Sequence, residues 1–172
     1  EAAAGEGFAS PSLAVLELEA NGQQSLPRLH PRDLVLTAVL ASFNDLRAVP
    51  SQLVAYGPTL KKLHLGSNQI ASVDGLLPSL AKVTELCLDG NRLTSLPESI
   101  RCLSKLRELW LHGNTALEAL PAALGECASL TVLSCHHCRL SELPDALARL
   151  SQLQGLYLQS NRLSGSLAAL RT

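Results

Sequence analysis

The stretch LRELWLHGNTALEALPAAL, residues 106–124, carries two patterns in succession. Leu109 and Leu111 alternate with Trp110 and His112, the period of a strand that buries one of its faces. Beyond Asn114 the alternation stops, and Pro121 opens a segment that the interior of a strand would not tolerate. So short a strand cannot bury its leucines alone. The pattern is self-consistent only if further strands of the same kind lie beside it.

Those strands are present in the chain. Leu-x-x-Leu-x-Leu-x-x-Asn recurs, with conservative replacements, from Leu13, Leu36, Leu60, Val83, Leu106, Leu130 and Leu153, at spacings of 23, 24, 23, 23, 24 and 23 residues. The second half recurs as LTSLPESI, LEALPAAL and LSELPDAL. Composition agrees, because leucine fills 39 of 172 positions while Phe, Tyr and Trp together fill five. The core is therefore built from one repeated aliphatic shape.

This repeat resembles that of the leucine-rich repeat family over Leu13 to Leu167. Its Asn-x-Leu-x-x-Leu-Pro-x-x-Leu half is similar to the intracellular Ras-group-related repeats of plants and the Scribble type of animals. One unit, NRLSGSL from Asn161 to Leu167, instead resembles the plant receptor type without its usual Ile-Pro. The expected fold is an α/β solenoid, a curved horseshoe of about seven repeats of 23–24 residues, with a parallel sheet on the concave face and loops and short helical turns on the convex face. The expected organisation is a flexible lead-in over residues 1–12 and a repeat domain over 13–172, truncated at its C-terminus. AALRT follows Leu163, Leu167 and Leu170 with no polar cap, so association through an open C-terminal edge is expected.

Charge narrows the partner class. Fourteen basic and fifteen acidic residues leave a formal charge of −1, with no run of like charge along the chain, which disfavours nucleic acid and membrane surfaces. No apolar run approaches the ~20 residues of a membrane span. Five cysteines without paired spacing fit a reducing compartment, so an intracellular, cytoplasmic location is expected.

The stretch LSCHHCRL, residues 133–140, places Cys135, His136, His137 and Cys138 side by side and raises the question of zinc. In the repeat frame Leu133 and Cys135 point inward and Cys138 takes the asparagine position, whereas His136 and His137 point outward. The four cannot converge on one ion, and the cysteines read as core. No metal or other cofactor is expected.

Packing constrains the inward positions, so binding information must reside in the outward ones. Between the two inner leucines the column runs Glu17, Leu40, His64, Cys87, Trp110, Ser134 and Tyr157; just beyond them it runs Glu19, Ser42, Gly66, Asp89, His112, His136 and Gln159. The only Trp and one of two Tyr lie here, at sites read as solvent-facing, as do His64, His112 and His136, and aromatic side chains commonly dominate interfaces. The expected protein-binding face is Trp110, His112, His136, Tyr157, Asp89, His64, Cys87, Leu40 and Phe43, with Arg101 and Lys105 on the convex side. The expected function is a protein–protein interaction scaffold or adaptor; the alternative is a targeting or regulatory domain of a longer kinase, ubiquitin ligase or phosphatase, or a structural subunit of a larger assembly. Two chemical readings compete with this: Asp89, His112 and Cys87 as an acid–base pair beside a nucleophile, and Asp89, His112 and His136 as a metal ladder. An open, wet sheet favours neither, and the chain is expected not to be an enzyme.

Overall fold

The computed structural model describes residues 13–27 and 35–164. The lead-in assigned to residues 1–12 and the open edge at Leu167, Leu170 and Thr172 lie outside them. Seven three-residue strands form one parallel sheet in chain order: β1 (Val15–Glu17), β2 (Ala38–Leu40), β3 (Lys62–His64), β4 (Glu85–Cys87), β5 (Glu108–Trp110), β6 (Val132–Ser134) and β7 (Gly155–Tyr157). Register is kept throughout, so Leu16, Val39, Leu63, Leu86, Leu109, Leu133 and Leu156 stand side by side. From Val39 to Leu133 this inward row is wholly buried.

The convex side follows from proline. Pro97, Pro121 and Pro144 sit in extended conformation directly before the 3-10 turns Glu98–Cys102, Ala122–Glu126 and Asp145–Arg149. Each proline sets φ and removes a donor that the first turn would leave unpaired anyway. The second unit carries the motif as Val49-Pro50 and closes with a short α-helix, α1 (Leu53–Tyr56), where the Leu53 N–H donates to the Pro50 carbonyl as Ile100 does to Pro97. Neighbouring turns pack tightly: a Cβ on Gly57 or Gly125 would collide with the Ser79 or Ala146 carbonyl of the next unit.

The asparagines hold the exits from the strands. Asn91 donates to the carbonyls of Leu65, Leu88 and Asp89 and accepts from the Ile70 N–H; Asn68, Asn114 and Asn161 make the same kind of bridge. The residue before each position is left-handed, with φ between +51° and +74° at Ala20, Phe43, Ser67, Gly90, Gly113, His137 and Ser160. That conformation is costly for a side chain with a Cβ, and the amide bonds that follow it stabilise the turn. At Cys138 the thiol does part of the amide's work, donating to the Leu111 carbonyl at 3.5 Å. The extra residue in the fifth unit turns the Leu117 N–H to the Asn114 carbonyl, so no side-chain acceptor is needed for it there.

Candidate functional site on the concave sheet

Outward residues on and just beyond β4, β5 and β6 form a connected row. Trp110 meets His112 edge to face, with centroids 6.2 Å apart, and His112 stacks on His136 at 4.3 Å and 16°. His136 and His137 bring their Nδ1 atoms to 2.7 Å, which requires that only one of the two carries a proton. His112 is held at both ends: Nε2 lies 3.7 Å from Asp89 Oδ2 and Nδ1 lies 3.4 Å from Ser134 Oγ. The Asp89 carboxylate lies over Gly66, where a Cβ would stand 2.6 Å from its Oδ1, so the missing side chain of Gly66 makes room for it.

A second cluster lies beside the first. His64 Nε2 and Glu85 Oε1 are 2.8 Å apart, and Lys62 Nζ reaches Glu85 Oε2 at 2.7 Å. Burial by itself would raise the Glu85 carboxyl; the hydrogen bonds from Lys62 and His64 outweigh it and hold the group below the usual carboxylate range. Glu108, the cross-strand neighbour of Glu85, accepts from Trp110 Nε1 at 3.2 Å and so fixes the indole. Glu85, Glu108 and Lys62 belong to a third outward column, just ahead of the inner strand leucine, that is absent from the binding face expected from sequence. The period-two rule would have named it.

Several expectations need correction. Ser134 occupies an outward position yet is wholly buried, with the His112 ring 3.4 Å from its hydroxyl, and Ser42 is buried too. Trp110 is half-buried in its own row rather than simply facing solvent, while Tyr157 is 45% exposed. Leu40, His64 and Cys87 are half-buried, and Phe43, 65% exposed, stands on the left-handed turn leaving β2. Lys105 is not grouped with convex Arg101. It lines a groove with Lys61, Lys82, Thr84, Arg107 and Ser129 where the chain re-enters the sheet. Lysines and arginines 21 to 25 residues apart become neighbours by stacking, so charge spread along the sequence is local in space.

The two chemical readings fare poorly. Burial, then the nearby carboxylates of Asp89, Glu85 and Glu108, pushes the Cys87 thiol up to about 12, which leaves it protonated and a weak nucleophile near neutral pH. In the row of Asp89, His112 and His136, ring stacking replaces convergence on a point. Cys135 and Cys138 are buried, while His136 is half-buried and His137 exposed, so the zinc-like stretch is divided between core and surface as the frame requires.

Residues 58–115 match the family described as "Leucine rich repeat", and residues 129–150 match a second, "Leucine Rich Repeat". No curated protein matches the chain significantly. Among solved structures, a leucine-rich repeat protein of Leptospira interrogans is similar over 94% of this chain, with a TM-score of 0.87 and 25% identity. The plant peptide hormone receptor RGFR1 in complex with RGF2 is similar over 86%, with a TM-score of 0.71 and 27% identity, and an internalin of Listeria monocytogenes over 78%, with 0.67 and 20%. The chain spans 41%, 24% and 37% of those three chains respectively. Seven stacked strands in unbroken register, the asparagine bridges at their exits and the matches to both repeat descriptions make this chain a member of the leucine-rich repeat family.

Proposed function

We propose that the chain is an interaction scaffold that binds a partner protein on its concave face through Trp110, His112, His136 and Tyr157, flanked by Asp89. The observation that carries this reading is the ring row from Trp110 to His137, which lies outside the aliphatic core and is positioned by Glu108, Asp89 and Ser134. Preorganised aromatic side chains on a rigid sheet lose little conformational freedom on binding, which is what interface anchors require. Leucine-rich repeats are commonly protein-interaction modules, and the similar plant receptor was solved in complex with RGF2. Burial pushes the free Cys87 thiol up and leaves it a weak nucleophile near neutral pH, which weighs against nucleophilic catalysis. Five unpaired cysteines are the ground for an intracellular location. A partner captured by the intact chain should be lost with Trp110→Ala plus Tyr157→Ala and retained with Arg101→Ala plus Arg149→Ala on the convex turns. Equal loss from both pairs would place the interface elsewhere.

A further inference from the structure

We propose that His64, Glu85 and Cys87 form a zinc site on the concave sheet, with three protein ligands and a fourth position open to solvent. The register of β3 and β4 makes His64 and Cys87 direct cross-strand partners, and Glu85 lies two residues before Cys87 on the same face. One donor atom from each residue lies within 4.8 Å of the other two, the one such group of three among the described residues. Tetrahedral zinc holds nitrogen and oxygen donors at about 2.1 Å and sulfur at about 2.3 Å, so its ligand atoms stand roughly 3.4–3.7 Å from one another. The three groups therefore reach that geometry by side-chain rotation on strands that are already fixed.

The donor set selects the ion. One imidazole, one thiol and one carboxylate suit a borderline cation such as zinc, whereas magnesium or calcium would require oxygen ligands alone. Glu85 has an oxygen for each task, since Lys62 holds Oε2 and leaves Oε1 facing His64. On binding, the Cys87 thiol releases its proton to solvent and sulfur takes the metal as thiolate, while the hydrogen bond from His64 Nε2 to Glu85 opens and neutral His64 carries its proton on Nδ1, freeing Nε2 for the ion. A divalent ion with one thiolate and one carboxylate is formally neutral. Asp89 and Glu108 close by then offset Lys62 and favour a cation at this point of the sheet. The Asp89, His112 and His136 row lacks this feature, because its rings stack face to face.

Cobalt(II) is the probe, added to the full chain under a non-chelating reductant. We expect one equivalent to give a thiolate-to-cobalt charge-transfer band that zinc abolishes, together with quenching of Trp110, whose strand neighbours Cys87. Cys87→Ser should remove the band, His64→Gln should weaken binding by more than about tenfold, and His136→Ala plus His137→Ala should change neither. Circular dichroism establishes that each variant is folded; if Cys87→Ser is not, Glu85→Gln serves, with weakened cobalt binding expected. Absence of the band in the unaltered chain, its persistence in folded Cys87→Ser or undiminished binding by Glu85→Gln would overturn the site. Loss through the His136 and His137 pair would reveal adventitious surface chelation instead.

Discussion

His112 and His136, on consecutive units of the solenoid, stack ring on ring with centroids 4.3 Å apart and planes within 16° of parallel. Two imidazoles so placed cannot both be charged without repulsion. Burial, then the proximity of His112 and His137, holds His136 below the ordinary histidine value despite the opposing pull of Asp89.

That depression makes stability depend on pH with a definite sign. The unfolded chain takes up the His136 proton near pH ~6.5, whereas the folded chain takes it up only at lower pH, so stability falls as pH drops through that window and levels off below the folded value. Melting followed from pH 7.5 to 5 should show a larger loss for the unaltered chain than for His136→Gln. Equal slopes would refute a role for this histidine.

Leu109→Ala and Leu133→Ala each remove a wholly buried side chain flanked by equivalent leucines of the neighbouring strands. Each should lower stability by about 2–5 kcal/mol in denaturant titration. All five cysteines are free, so reductant should leave the unfolding midpoint unchanged.

Asn114 is fully buried and donates to the carbonyls of Leu88 and Leu111 while accepting from the Leu93 N–H. Asn114→Ala strands those backbone groups in an apolar stack, and each orphaned group costs about 1–3 kcal/mol. The variant should unfold at clearly lower denaturant concentration. Asn21→Ala should do little, because Asn21 is exposed and its amide donates only to the Glu19 carbonyl.

Trp110→Ala should weaken partner binding by more than about 2 kcal/mol, as expected of an anchor, with the unfolding midpoint barely moved. Glu108→Gln keeps an acceptor for the indole N–H and should have a smaller effect. If Glu108→Gln matched Trp110→Ala, the interface would depend on charge at β5 rather than on the ring; titration calorimetry with the captured partner separates the two.

The repeat period, the inward leucines, the asparagine exits and the division of LSCHHCRL into buried cysteines and outward histidines were all legible in the sequence, because each depends on local alternation that a strand imposes on its own residues. The tertiary structure alone decided what stood beside what. Ser134 is outward by period yet covered by its neighbours; Glu85 joins Lys62 and His64 across a strand boundary; Lys61, Lys82, Lys105 and Arg107 share one groove. Those relationships depend on lateral register between units 23 or 24 residues apart and on side-chain rotation above the sheet. A period-two pattern tells which face a residue takes but carries no information about the length, charge or direction of the side chain that the next unit sets against it.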